Sequence, residues 1–136
     1  MAVRASACFV LVPANDPGRV AGFYTLSQTS VRLAVLPPEL AKKLPRYPEL
    51  GATLIGRLAR DLEWKGRGVG QLLLLDAFRR SLRQSAEVAA VVVVTDPKDT
   101  NAREFYTENG FAPLDQRRLF IPMQRLIEWE AREWNV

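Results

Sequence analysis

The sequence contains no histidine and a single cysteine, and both scarcities restrict the chemistry that the chain can perform. Without histidine, the chain lacks the commonest general base and metal ligand, and every Ser-His-Asp or Cys-His arrangement is excluded. The lone Cys8 has no partner for an internal disulfide, and its apolar surroundings (ACFVLV) favour a buried small residue over a reactive thiol. Catalysis must use carboxylates, tyrosine, backbone groups or a cofactor, and we expect no metal site.

Long apolar stretches are also missing. No run approaches the roughly 18 residues of a transmembrane helix, and no basic segment precedes an apolar one at the start. We therefore expect no membrane partner and a cytoplasmic location.

The 136 residues predict one domain over 1–136, and 48% hydrophobic with 25% charged residues is typical of a globular protein. The net charge of +4 permits an anionic ligand, although a solvated basic surface explains it equally well.

The pattern of apolar runs predicts a mixed α/β domain. We expect strands at 5–12, 19–27, 52–61, 88–95, 111–114 and 118–121, with 30–36 as a third strand or the end of the second. Helices are expected at 72–85, 100–109 and 122–134, with at most one helical turn in the proline-rich segment 37–48. The unbroken apolar run at 88–95 is typical of a strand buried on both faces. Asn101 followed by Glu104 predicts a capping box.

Three alternating glycines, Gly66, Gly68 and Gly70, precede the clearest helix. Their spacing excludes both the P-loop and the G-x-G-x-x-G dinucleotide motif. The first amides of a helix have no intrahelical partner, the helix dipole adds positive potential, and glycine lets an anion approach the backbone. Lys65 and Arg67 add charge beside the loop. Spacing alone favours an anion site and a tight turn without a ligand about equally.

The segment Lys65 to Gly70 (KGRGVG) resembles the acetyl-CoA motif of the GNAT superfamily of N-acetyltransferases, with lysine in place of the usual Arg or Gln. Segment 101–111 (NAREFYTENGF) resembles the second motif of that superfamily. Segments 22–27, 36–50 and 54–80 resemble the GNAT toxins of bacterial toxin–antitoxin pairs, which acetylate the α-amino group of aminoacyl-tRNA. The resemblance implies a GNAT-like central mixed sheet of about six strands flanked by helices, shortened at its N-terminus because the usual first helices are missing.

The resemblance also implies acetyl-CoA as the co-substrate and assigns roles to residues. Backbone groups of Leu58, Ala59 and Arg60 would hold the pantetheine arm like an added strand, although relatives often carry a small apolar residue where Arg60 stands. Asn101 would contact the cofactor from the facing helix. Tyr106 would protonate the departing thiolate, and a core aromatic is its alternative role. Phe105 and Phe111 are assigned to the core. The pyrophosphate would lie on the amides of Lys65, Gly66, Arg67, Gly68, Val69, Gly70 and Gln71.

The acceptor is less defined. Asp61 and Glu63 are candidate bases by position only, and an enzyme without a strong base suits an α-amine, whose pKa is about 7.7–8.0 against about 10.4 for lysine. The resemblance implies aminoacyl-tRNA as acceptor, a ribbon-helix-helix antitoxin as partner, and pairing into a homodimer. A small amine or protein N-terminus as acceptor, and a non-catalytic remnant that binds CoA or a partner, stay open. Cations for RNA phosphates are Lys42, Lys43, Arg46, Arg79, Arg80, Arg83, Arg117 and Arg118, and solvated surface charge explains each at least as well.

Overall fold

The computed structural model describes residues 6–134 as a mixed six-stranded sheet with helices on both faces. Its order is β1-β2-β3-β4-β6-β5; β3 and β4 are parallel and the other neighbours antiparallel. The predicted fold class is thus confirmed. The strands are β1 (Ala7–Leu11), β2 (Gly22–Arg32), β3 (Glu49–Arg60), β4 (Val92–Thr95), β5 (Ala112–Pro113) and β6 (Leu119–Pro122). The helices are α1 (Pro38–Ala41), α2 (Val69–Ser85), α3 (Thr100–Glu108) and α4 (Met123–Trp134).

Two apolar clusters bury the two faces of the sheet. Alternate residues of β4 belong to different clusters, Val93 to one and Val92 with Val94 to the other, because successive side chains of a strand point to opposite faces. The first cluster packs under α2 and α4 through Leu74, Leu126 and their neighbours. The second packs under the proline-rich segment after β2. All of β4 is buried, which confirms the prediction of a central strand covered on both sides.

Several predicted boundaries move. Residues 30–32 belong to β2, and the next three residues, Leu33–Val35, form a 3-10 turn. β4 begins at Val92 rather than at 88, because the amide of Val88 bonds to the carbonyl of Gln84 at 2.8 Å and closes α2 instead. The predicted start of β1 at residue 5 lies outside the described residues. In the part of the chain that the structure describes, no helix is long and apolar enough to cross a membrane.

Two local predictions are wrong. The capping box at Asn101 and Glu104 does not form, because Asp99 is the N-cap of α3 and its carboxylate accepts a hydrogen bond from the Ala102 amide at 2.8 Å. Cys8 is exposed rather than buried. It lies on the edge strand β1, whose alternate residues Ala7, Phe9 and Leu11 are the less exposed ones. The apolar run around Cys8 therefore alternates in burial, as an edge strand with one solvated face does.

Candidate active site

The site is a cleft where two parallel strands separate. β3 and β4 pair only from Ala52 with Val92 to Ile55 with Thr95. Beyond that point β3 continues to Arg60, whereas the chain leaves β4 and turns into α3. A cavity of about 860 Å³ lies between the separated ends. It is lined by Phe23, Gly56, Arg57, Leu58, Ala59, Arg60, Gly68, Val69, Gly70, Gln71, Thr95, Asp96, Pro97, Lys98, Asp99, Asn101, Ala102, Phe105 and Tyr106.

One side of the cleft is the edge of β3, and a bulge decides which peptide groups face it. Before the bulge, odd-numbered residues face β4: Gly51 accepts from the Val91 amide at 2.9 Å, and Ile55 from the Thr95 hydroxyl at 3.1 Å. The pairing of β2 with β3 then shifts by one, so that Gly56 and Arg57 lie opposite Thr25 alone. An extra residue in one strand reverses the alternation that follows.

The hydrogen bond at the end of β3 confirms the reversal. The amide of Asp61 donates to the carbonyl of Ala21 at 2.8 Å, on the β2 side. Alternation back from Asp61 places the peptide groups of Ala59 toward β2, where its partner is Phe23. Those of Leu58 and Arg60 then point into the cleft, where β4 no longer pairs with them. All three residues that the sequence assigned to the pantetheine arm line the cavity. By this alternation, the peptide groups that face it are those of Leu58 and Arg60.

The N-terminus of α2 forms one end of the cleft. Gly66 and Gly68 have left-handed backbones, with φ of +79° and +73°, so these turns need glycine. The first intrahelical bond runs from the Leu72 amide to Gly68 at 3.0 Å, so the preceding amides of Val69, Gly70 and Gln71 have no partner within the helix. α2, all of it within the described residues, has no side-chain cap and no acidic residue in its first turn. The end is electropositive and open to an anion.

The glycine loop reaches the cavity only in its second half. Gly68, Val69, Gly70 and Gln71 line it, whereas Lys65, Gly66 and Arg67 do not. The Arg67 guanidinium lies 4.7 Å from the centre of the Trp64 ring. Lys65 and Arg67 therefore add positive potential near the entrance, without being part of the wall.

Tyr106 lies on α3 across the cleft from β3. It is 6% exposed, and its ring packs edge-on against Phe105 and Phe111 at centroid distances of 5.3 and 5.2 Å. Burial raises the pKa of the Tyr106 phenol, and a hydrogen bond with Thr95 partly offsets the increase. The phenol therefore stays protonated at neutral pH and is able to donate. Tyr106 fills the core and also lines the cavity, so the two roles considered from the sequence are compatible.

Two carboxylates line the cavity, but both are already engaged. Asp96 accepts two hydrogen bonds from Arg118, at 2.8 and 2.9 Å. This pairing holds the pKa of Asp96 below its usual range, which makes Asp96 a weak base. Asp99 caps α3 through the Ala102 amide. Neither carboxylate is poised to remove a proton from an amine.

The two carboxylates suggested by position lie outside the cavity wall. Asp61 accepts a hydrogen bond from the Glu63 amide at 3.0 Å and so starts the 3-10 turn Leu62–Trp64. Glu63 forms an ion pair with Arg19. Both therefore shape the entrance loop, which is the structural role that the sequence also allowed for them.

Sequence reasoning missed several lining residues. Gly56 and Thr95 mark the point of strand separation, and Phe23 and Lys98 add to the wall. Phe105 was assigned to the core, but it is half-buried and lines the cavity, and a Cβ at Gly70 would lie 3.4 Å from its ring. The pairing of strands reveals Phe23, Gly56 and Thr95, and the packing of α3 and its preceding turn reveals Lys98 and Phe105. The one signal in the sequence is that Phe105 adjoins the predicted Tyr106.

Three of the cations suggested for RNA already have side-chain partners. Arg118 is held by Asp96, and Arg80 donates to the Tyr24 hydroxyl at 3.0 Å. Arg79 lies 5.8 Å from the centre of the Trp129 ring. These contacts give the three arginines structural roles, whatever else they bind.

Comparison with known proteins identifies relatives of this site and fold. A model of the acetyltransferase (GNAT) family matches residues 2–111. A tRNA-acetylating toxin of Mycobacterium tuberculosis is 32% identical over 121 residues, which cover 88% of this chain and 70% of that protein. A probable toxin TacT of Sinorhizobium fredii is 30% identical over 124 residues, covering 84% and 68%.

The solved structures of AtaT share the fold. AtaT complexed with acetyl-methionyl-tRNAfMet superposes with a TM-score of 0.84 at 26% identity, covering 93% of this chain and 76% of that one. AtaTR bound with AcCoA gives 0.79 at 26% identity, covering 93% and 75%. A mutant AtaT toxin bound to the C-terminus of the antitoxin AtaR and acetyl-CoA gives 0.68 at 23% identity, covering 82% and 66%, which supports the fold alone.

Proposed function

This chain belongs to the acetyltransferase (GNAT) family, and we propose that it transfers the acetyl group of acetyl-CoA to the α-amino group of aminoacyl-tRNA. The family match confirms the resemblance on which segments 65–70 and 101–111 were interpreted. The observation that carries the proposal is the cleft itself. An unpaired edge of β3, an uncapped N-terminus of α2 and the Tyr106 phenol all line one cavity.

The cleft suits the elongated shape and the charge of acetyl-CoA. The peptide groups of Leu58 and Arg60 would pair with the pantetheine amides, as an added strand does. The amides of Val69, Gly70 and Gln71 would bind the pyrophosphate, with Lys65 and Arg67 adding positive potential near the entrance. Asn101 would contact the cofactor from α3. The structure of AtaTR bound with AcCoA supports this co-substrate.

The chemistry then requires little beyond positioning. An acceptor amine attacks the acetyl carbonyl directly, so holding both reactants in the cleft contributes to the rate enhancement. As the C–S bond breaks, Tyr106 would protonate the departing thiolate, since its raised pKa keeps the proton on the phenol until the sulfur develops charge. The proton that the attacking nitrogen loses would pass to water, and solvent would return one to the phenolate. No unengaged carboxylate lines the described cavity. An α-amine, which is partly neutral near pH 8, is therefore a better acceptor than a lysine side chain.

The relatives favour aminoacyl-tRNA as the acceptor. One of them is a tRNA-acetylating toxin, and AtaT has been solved with acetyl-methionyl-tRNAfMet. A chain with this activity would block translation in the cytoplasm. A ribbon-helix-helix antitoxin would then be its partner.

The proposal is tested by offering several acceptors with labelled acetyl-CoA. The panel contains a set of charged tRNAs, the corresponding free amino acids, small polyamines and peptides with free N-termini. We expect label on charged tRNA alone, released with the aminoacyl group after mild alkaline hydrolysis of the ester. Label on peptides or polyamines but not on tRNA would contradict the proposed acceptor. Acetyl-CoA binding with no transfer to any acceptor would instead favour a non-catalytic remnant.

A further inference from the structure

Thr25 on β2 makes a contact that ordinary strand pairing does not provide. The bulge of β3 leaves the Arg57 amide without a backbone partner on β2, and the hydroxyl of Thr25 accepts its hydrogen bond at 3.0 Å. Arg57 is exposed, so the hydroxyl does not rescue a buried amide; it supplies the partner that pairs the extra residue of β3 with β2 and so fixes the geometry of the bulge. Thr25 is half-buried and does not itself line the cavity.

Gly56 is fitted to the same hydroxyl. A Cβ at this position would lie 2.8 Å from the Thr25 oxygen, closer than real Cβ contacts. Gly56 is not in a left-handed conformation, so the close approach of Thr25, and not the backbone angle, explains the glycine. The Thr25 hydroxyl, the glycine at position 56 and the extra residue of β3 therefore belong to one local structure, the bulge.

The bulge determines which peptide groups of β3 face the cavity. Without the extra residue, the alternation set at Gly51 and Ile55 would continue and point the peptide groups of Arg57 and Ala59 into the cavity. With it, those of Leu58 and Arg60 face the cavity. We propose that Thr25 is a positioning residue for acetyl transfer, because its hydroxyl fixes the bulge that orients the Leu58 and Arg60 peptide groups toward the pantetheine arm.

This inference rests on the proposed function, and it makes a prediction that a purely structural role does not. Coenzyme A has two parts that touch different walls. The pantetheine arm would lie along β3, whereas 3′-phosphoadenosine 5′-diphosphate, the part without that arm, would lie at α2. Loss of the Thr25 hydroxyl should weaken the first contact and leave the second intact.

The experiment compares Thr25→Val, which keeps the shape but removes the acceptor, with Thr25→Ser, which keeps the acceptor. Thr29→Val is the matched control, since Thr29 lies on the same strand opposite Ala52, away from the bulge. Calorimetry measures the affinity for acetyl-CoA and for 3′-phosphoadenosine 5′-diphosphate. We expect Thr25→Val to weaken acetyl-CoA binding about fivefold to tenfold, with the shorter ligand within about twofold of wild type. Thr25→Ser and Thr29→Val should resemble wild type.

The outcomes separate the two proposals. Unchanged acetyl-CoA affinity in Thr25→Val, or equal weakening of both ligands, would overturn the positioning role while leaving the proposed function standing. A wild-type protein that binds no acetyl-CoA would overturn both. If Thr25→Val does not fold, Gly56→Ala provides the same test, because its Cβ displaces the hydroxyl. Gly56→Ala should then weaken acetyl-CoA binding selectively, and unselective weakening would again contradict the inference.

Discussion

Replacement of Gly68 by alanine tests whether the left-handed turn before α2 shapes the phosphate end of the cleft. Gly68 has φ of +73°, and no heavy atom lies within 4 Å of where its Cβ would be. The substitution therefore introduces backbone strain without a steric clash. A left-handed conformation costs a non-glycine residue about 1–2 kcal/mol. We expect Gly68→Ala to lower the free energy of unfolding by about 1 kcal/mol, which corresponds to about 3 °C in Tm for a domain of this size.

The same backbone strain should also weaken the binding of acetyl-CoA. Alanine relieves the backbone strain by rotating the peptide at Gly68. The amides of Val69 and Gly70 then no longer point toward the same phosphate. We expect acetyl-CoA affinity to fall about tenfold, the worth of one well-placed hydrogen bond to a charged group. The assay is thermal unfolding with and without acetyl-CoA, together with calorimetry. Gly68→Asn should lose less stability, since asparagine tolerates this conformation better.

Gly18→Ala is the control for this experiment. Gly18 likewise has no heavy atom within 4 Å of where a Cβ would be, but its backbone is not left-handed. Its replacement should change stability by less than about 0.5 kcal/mol and leave acetyl-CoA binding unchanged. A Gly68→Ala protein that behaves as Gly18→Ala does would refute the role of the turn in both stability and binding. Lost stability with full affinity would show that the turn does not shape the site.

Two further predictions concern pH. Burial and a hydrogen bond to Asp76 raise the pKa of Tyr24 to about 12, so its contribution to stability is complete below about pH 10 and is lost between about pH 10 and 12. Tyr24→Phe should be less stable than wild type by about 1 kcal/mol at pH 8, as measured by chemical denaturation. At pH 11.5 the difference should vanish or change sign, because ionisation of the unfolded phenol removes at least as much stability from wild type. Arg118 lowers the pKa of Asp96, so that contribution is present above about pH 4 and is lost as pH falls. Asp96→Asn should have a lower free energy of unfolding in urea than wild type at pH 7, by less than about 1 kcal/mol because both side chains are partly exposed. The difference should shrink as pH falls below about 4.

Much of the fold follows from local pattern. The apolar stripe of α2 and the unbroken run that ends in β4 are strong signals, and the glycines before α2 indicate the turn that the structure contains. Boundaries are less predictable where two options differ by a few residues. Val88 is apolar enough for a strand, yet its amide completes the end of α2. Asp99 and Asn101 are both good N-caps, and only the conformation of the turn decides between them.

The site is predictable from motifs only in part. The glycine loop, Asn101 and Tyr106 could be placed on the right elements, because each lies within a local pattern. The bulge could not, since Ala52 to Asp61 alternates acceptably as a regular strand. Its extra residue is visible only against β2, through Thr25. The engagement of Asp96 by Arg118 is likewise non-local, joining residues 22 positions apart.

The most direct test of the proposed reaction is the rate of acetyl transfer to charged tRNA by Tyr106→Phe, measured beside its acetyl-CoA affinity. Tyr47→Phe is the control, because Tyr47 is 66% exposed and lies outside the cavity wall. We predict that Tyr106→Phe loses about 100-fold or more in kcat while binding acetyl-CoA within about twofold of wild type, and that Tyr47→Phe keeps full activity. A Tyr106→Phe enzyme with the wild-type rate would contradict the assignment of this phenol to the reaction.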